Sequence, residues 1–275
     1  MSKRVLLIND QPSYGNVALA AMVPILAHMG FETMCLPTAL VSNTLDFGKF
    51  HILETTDYMA ETLKVWESLD FDVQAVSTGF MVSQSQTELV IGVCNRLSDQ
   101  GKPVFCDPIM GDDGTLYNGV LPQTVDLMRQ LVAVSHYTVP NYTEACALTG
   151  IPYRPEGMGP QQARQLIDGM RQLGAKTVVI TSALLTNPTP QQCVIGYDHT
   201  ADSYFRLPFE PIPVRYPGTG DIFSAVFMGK ILLGLPVAEA TQMSMDAVKS
   251  MIAEHGRIDG AFSGIPVGSF LHLIP

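Results

Sequence analysis

Charge is scarce in this 275-residue chain: 15% of its residues are Asp, Glu, Lys or Arg, and the basic sign is the scarcer, 16 residues against 26 acidic ones. With a formal net charge of -10 there is no excess of cations to grip a phosphodiester backbone, so nucleic acid is not an expected partner. Cysteine is sparse as well. Cys35, Cys94, Cys106, Cys146 and Cys193 are odd in number and form no Cys-x-x-Cys pair, which argues for small apolar core residues in a reducing compartment rather than a disulfide framework. The six histidines are scattered, without metal-ligand spacing. No apolar run reaches the ~18 residues that a membrane span needs. The richest stretch, Ile222 to Leu235, carries Ser224 and Lys230 and reads as a buried helix. After Lys3 and Arg4 only Val5 to Ile8 is strongly apolar before Asn9 and Asp10, too short for a secretory signal. The expectation is a cytoplasmic protein with no membrane contact.

What is abundant is apolar: 47% of the chain, enough for a sizeable core and too much for disorder. Short apolar runs alternate with helical patterns. Val5–Ile8, Thr33–Leu36, Val73–Ser77, Val104–Cys106, Tyr137–Val139 and Val178–Thr181 read as strands. Between them lie predicted helices at 17–29, 57–69, a segment opened by a capping box at Ser83 and Gln86, 122–133, 143–149 and 160–173. Cys193–Tyr197 and Ser203–Leu207 read as a hairpin, and Asp221 to His255 as two helices broken at Gly234-Leu235-Pro236. Such alternation predicts an α/β fold in one domain over residues 1–275, with a mainly parallel central sheet and helices on both faces. Pro152–Pro160 is the stretch expected to be loosest. In such sheets ligands bind beyond the carboxyl ends of the strands, so the residues just after each strand carry the functional signal.

The strongest of these is Pro217-Gly218-Thr219-Gly220-Asp221, followed at once by an apolar helix. Glycines at 218 and 220 permit a tight turn whose amides converge, and the helix start adds partial positive charge, which together make an anion hole. Asp221, in the first helical turn, is favoured in its ionised form there and is placed to accept a hydroxyl proton in a loose phosphoryl-transfer transition state. Read alone, Asp221 could equally be a plain helix-start residue. Asp107, in Phe105-Cys106-Asp107-Pro108, ends a strand where an acid can hold Mg2+ or its water against nucleotide phosphates, or simply form a turn. Asn141 and Glu144, three residues apart at a helix start, can face one point as nucleotide and metal-shell residues, or can be an ordinary cap. Asp10 and Thr38, each just past a strand, are candidate substrate contacts, and Phe80 is a candidate stacking surface for a planar ring.

In this order the segments Ile8-Asn9-Asp10, Pro37-Thr38-Ala39 with Ser42-Asn43, Thr78-Gly79-Phe80, Asp107-Pro108-Ile109-Met110-Gly111 with Asp112 and Gly114, Pro140-Asn141 with Glu144, and Gly218-Thr219-Gly220-Asp221 resemble the ribokinase-like superfamily over nearly the whole chain. The likeness is greater to its pyridoxal/pyridoxamine and hydroxymethylpyrimidine kinases. It implies a three-layer fold, ATP with Mg2+, transfer of the γ-phosphate to a hydroxymethyl group of a small molecule, and a homodimer. By that resemblance Asp221 is the base, Gly218, Thr219 and Gly220 form the anion hole, Asp107 and Glu144 serve phosphate and metal, and Thr181 contacts the nucleotide. The chain departs from some relatives at Phe80, where they have Tyr, at Thr181, where they have Lys, and at Thr44, where His is frequent. Hydroxymethylpyrimidine kinases often carry Cys where Asp221 stands, which tilts the expectation toward vitamin B6. The alternatives are a hydroxymethylpyrimidine kinase and a non-catalytic vitamer- or nucleotide-binding module.

Overall fold

A computed structural model describes residues 3–187, 189–256 and 262–275. The elements run β1 (Lys3–Pro12), α1 (Ala18–His28), β2 (Phe31–Val41), β3 (Ile52–Glu54), α2 (Thr56–Ser68), β4 (Ala75–Thr78), α3 (Gln84–Asp99), β5 (Val104–Cys106), a small hairpin β6 (Gly111–Asp112) and β7 (Thr115–Leu116), α4 (Thr124–Ala133), β8 (Tyr137–Thr138), α5 (Tyr142–Thr149), α6 (Pro160–Gln172), β9 (Thr177–Leu185), β10 (Gln191–Asp198), β11 (Ser203–Phe209), α7 (Thr219–Leu232) and α8 (Val237–His255). Nine strands form one sheet in the order β11-β10-β9-β8-β5-β4-β1-β2-β3. The pairs from β9 to β2 are parallel; β3, β10 and β11 add antiparallel edges.

The layering follows from strand alternation. Leu6 and Ile8 of β1 enter one core with Val90 and Val93 of α3, Met128 and Leu131 of α4, and Leu166 and Met170 of α6. Val5 and Leu7 point the other way, into a core with Leu19 and Ile25 of α1, Phe223 and Phe227 of α7, and Met251 of α8. Both sheet faces are therefore covered, and the predicted three-layer α/β architecture is the one found. Cys94, Cys106, Cys146 and Cys193 are buried free thiols and Cys35 is half-buried. Among the described residues no helix is long and apolar enough to cross a membrane.

Three local expectations need adjustment. Ser83 caps α3 by accepting the Gln86 amide at 3.3 Å, but the Gln86 side chain does not complete the box. It accepts from the Val82 amide at 2.9 Å and donates to the Thr38 carbonyl at 2.8 Å, tying α3 to β2. Pro152–Pro160 is not loose: the Met158 amide donates to the Leu184 carbonyl of β9 at 2.9 Å, and its carbonyl accepts from the Thr186 amide just past β9 at 3.1 Å. Strand β9 does not stop at Thr181. It continues to Leu185 through a bulge in which Thr181 and Ser182 face one residue of β10, with Ser182 at φ 57°.

Candidate active site

The carboxyl ends of β9, β8, β5, β4 and β1, adjacent in the sheet, open onto one cavity of about 690 Å3. Asp10, Phe80, Asp107, Asn141, Glu144 and Thr181 line it from the strand ends, and Gly218, Thr219, Gly220 and Asp221 line it from the start of α7. The sequence reading thus brings ten of its residues to one place because the topology makes neighbours of strands far apart in the chain.

The two glycines differ. Gly218 caps α7 at φ 84°, and a Cβ there would lie 2.3 Å from the Asn16 carbonyl oxygen, so this position admits only glycine. Gly220 lies inside the first helical turn, and a Cβ there would meet nothing within 4 Å. Its lack of a side chain keeps the cavity open rather than relieving a clash. The first-turn amides of α7 have no intrahelical acceptor, as at any helix start, so they are available to an anion.

Asp221 is almost fully buried, and its Oδ1 has no hydrogen-bond partner of ordinary geometry among the described residues. Burial pushes its carboxyl up to about 6, against the Ala18 amide and the Asn9 side chain, which favour the ionised form. Desolvation thus outweighs the helix start, which by itself favours the ionised form. Asp10 is pushed up to about 7 by burial and then by the Asp221 charge, and Asp107 likewise to about 7, with the Ser224 hydroxyl opposing. Ser224 stands one turn after Asp221 on α7 and donates to Asp107 Oδ2 at 2.6 Å. One helix face therefore carries the candidate base and the group that holds the candidate metal acid.

Asn141 and Glu144 complete a full capping box on α5: the Glu144 amide donates to Asn141 Oδ1 at 2.9 Å, and the Asn141 amide donates to Glu144 Oε2 at 2.8 Å. The same pair anchors the β6–β7 hairpin. Glu144 Oε1 accepts the Met110 amide at 3.0 Å, and Asn141 Nδ2 donates to the Gly111 carbonyl at 2.7 Å. Burial, followed by the Asp107 charge, holds the Glu144 carboxyl well above the usual range. These hard carboxylate oxygens, repelling one another with no lysine or arginine bonded to either among the described residues, suit a hard divalent cation. No cluster of three or more His, Cys, Asp or Glu side chains that could cage a metal by itself is found among the described residues, so such an ion would share phosphate oxygens.

Thr38 is a correction. It is fully buried, its hydroxyl lacks a partner among the described residues, and it does not line the cavity. It sits in a register shift where Thr38 and Ala39 together face Asp10, and β2 runs on to Val41. Val41 and Asn43 instead reach the wall. The reading also lacked roles for Asn9, Ser224, Ala18 and Arg215. Ser224 was legible as a polar residue three positions after Asp221. Ala18, at φ 48° beside Asp221, and Arg215, which pairs with Asp46 at 3.3 Å and Asp112 at 3.9 Å across the cavity mouth, carried no local signal.

Comparison with known proteins agrees with this fold. A family model described as phosphomethylpyrimidine kinase matches residues 20–264. The chain is 26% identical to the pyridoxal kinase PdxY of Rubrobacter xylanophilus over 254 residues, covering 90% of this chain and 86% of that protein. It is 29% identical to a pyridoxine/pyridoxal/pyridoxamine kinase of Bordetella pertussis, covering 86% of this chain and 84% of that one. A Bacteroides thetaiotaomicron protein assigned to the phosphomethylpyrimidine kinases and crystallised with pyridoxal superposes with a TM-score of 0.93 at 27% identity, over 100% of this chain and 96% of that chain.

Proposed function

From the premise that the chain belongs to the phosphomethylpyrimidine kinase family, we propose that it is an ATP-dependent kinase of the hydroxymethyl group of a B6 vitamer, with Asp221 as the base. One observation carries the reading: a buried carboxylate and a glycine turn share the start of α7 inside a cavity otherwise lined by strand-end acids. The relatives named for pyridoxal favour a vitamer as acceptor over a pyrimidine, and so does Asp221 itself.

The residues divide the work. The amides of Gly218, Thr219 and Gly220 receive charge as it gathers on the transferred phosphoryl group and need no reorganisation to do so. Asp221 accepts a hydrogen bond from the acceptor hydroxyl and takes its proton as the new P–O bond forms and the bond from the γ-phosphorus to the β,γ-bridging oxygen breaks, releasing ADP; above pH about 6 it is ionised and ready. Asp10 accepts from a ring donor of the acceptor, Phe80 packs against its plane, and Thr181 on the β9 bulge meets the nucleotide. Asp107, with Glu144 behind it, would hold Mg2+, which supplies charge neutralisation on the phosphates. The chain is read as one domain in a cytoplasmic homodimer, a state that light scattering of the purified protein measures directly.

The test is turnover of ATP with pyridoxal, pyridoxine, pyridoxamine and hydroxymethylpyrimidine, for wild type and Asp221→Asn. Turnover should be greatest with a B6 vitamer and fall about 10²–10⁴-fold in the variant, with ATP affinity nearly unchanged. Preference for hydroxymethylpyrimidine would select the second reading, which the family description favours. Full turnover in the variant would remove Asp221 from the mechanism.

A further inference from the structure

The motif at the end of β1 pairs Asp10 with a second polar residue, Asn9, whose side chain is buried at 3% exposure. Asn9 Oδ1 accepts two backbone amides, from Asp10 at 3.0 Å and from Phe80 at 2.9 Å. Two N–H groups on one atom identify it as the oxygen and lock the carboxamide plane, so the two hydrogens on Nδ2 point in fixed directions. Its bonded partner there is the Met22 sulfur at 3.7 Å, a weak acceptor. The side chain fits because residue 79 is glycine: a Cβ at Gly79 would lie 2.4 Å from Asn9 Cγ and Oδ1. A rigid, well-supported amide donor thus has a thioether as one partner, and the same side chain bears on the Asp221 carboxyl.

Beside it, Asp221 Oδ1 is a buried acceptor without a donor of ordinary geometry among the described residues. The groups that face Asp221 are the carboxylates of Asp10 from β1 and Asp107 from the end of β5, the Ala18 amide from α1, and the Asn9 side chain. The two acids repel it. The Ala18 amide and Asn9 are the neutral groups able to hold it. Catalytic hydrogen bonds are often long without ligand and tighten in the working complex.

We propose that Asn9 is a positioning residue: its Nδ2 closes on Asp221 Oδ1 when the acceptor binds, fixing the carboxylate so that Oδ2 meets the acceptor hydroxyl. The inference rests on the reading of Asp221 as base, and a double-mutant cycle separates the two. Asn9→Asp keeps an oxygen for the Asp10 and Phe80 amides but removes the donor. It should lower kcat about 10- to 100-fold while the KM for ATP stays within about 2-fold. In an Asp221→Asn background the same change should alter the residual rate by less than about 2-fold, because the carboxylate it serves is gone. A structural role would cut both backgrounds by the same factor, and that result overturns the proposal, as does an unchanged kcat in Asn9→Asp. Wild-type turnover in Asp221→Asn alone defeats the base assignment and this inference with it. Should Asn9→Asp not fold, Asn9→Ser, which retains an acceptor for the amides and lacks the carboxamide donor, takes its place in the cycle with the same criteria.

Discussion

At Gly218 the backbone occupies φ 84° against the Asn16 carbonyl, whereas two residues later Gly220 has open space where a side chain would go. The two glycines of one motif should therefore fail in different ways. Gly218→Ala forces a non-glycine residue into the left-handed region and against a backbone oxygen, and should cost about 1–3 kcal/mol of stability, measured by urea unfolding. Gly220→Ala replaces glycine within a helix and should leave stability equal or raise it by ~0.5–1 kcal/mol. Its methyl group occupies the room where phosphate must approach the amides, so the KM for ATP should rise about 10-fold or more. Equal stability losses in the two variants would contradict this division. At the same scale the raised carboxyls of Asp10, Asp107, Glu144 and Asp221 share burial as first cause, and the charges of Asp221 and Asp107 push their neighbours further. No spacing in the sequence shows which acids will face one another.

Three elements meet over the cavity mouth. The segment after β2 brings Asp46, the β6–β7 hairpin brings Asp112, and the approach to α7 brings Arg215, which pairs with both. The first segment is also seated by Tyr14, whose ring packs on Phe47 at 6.0 Å, and by a hydrogen bond from Thr44 to the Phe262 carbonyl. Arg215 is more than half exposed, so its pairs contribute at most about 0.2–1 kcal/mol. Arg215→Ala should leave the melting temperature nearly unchanged and raise the acceptor KM by up to about 5-fold, the factor that such an energy corresponds to. Because exposed pairs are screened, wild type at ~1 M salt should approach the variant. A KM difference that persists undiminished at high salt would show that Arg215 acts by other means. The elements themselves were legible wherever period and punctuation agreed. Helix α5, expected from the sequence over 143–149 with Gly150 ending it, runs Tyr142–Thr149 and does end at Gly150, with φ 74°. Strand β3 and the β6–β7 hairpin, two or three residues each, were not, because elements so short complete no period.

For the molecule as a whole, the row of raised carboxyls sets the pH dependence of stability. Asp10, Asp107 and Asp221 have folded values of about 7, about 7 and about 6, above an ordinary 3.8. Between these limits the folded state binds more protons than the unfolded state, so stability from these groups is present at low pH and is lost as pH rises through about 6 to 7. The ligand-free protein should melt at a lower temperature at pH 8 than at pH 5. Mg2+ with ATP, by compensating the same charges and binding the folded state alone, should recover most of the difference at pH 8. Thermal melts at the two pH values with and without MgATP decide it; a melting temperature that climbs from pH 5 to pH 8 without ligand would refute this account of the acids.

Sequence by itself determined the strand–helix alternation, the parallel sheet with two covered faces, and the residues that end each strand, because periodicity and turn chemistry are local and write themselves into the chain. It also marked Gly218-Thr219-Gly220-Asp221, since a glycine turn before an apolar helix is a local pattern with a direct physical meaning. Only the tertiary structure decided that Asp221 is desolvated rather than helix-stabilised, that Thr38 is enclosed while Val41 and Asn43 reach the cavity, and that Asn9 is buried with its oxygen holding the Asp10 and Phe80 amides. Each of these depends on which atoms from distant segments exclude water or supply a hydrogen at one point. That is a property of packing across β1, β2, β4, α1 and α7, which no one segment contains.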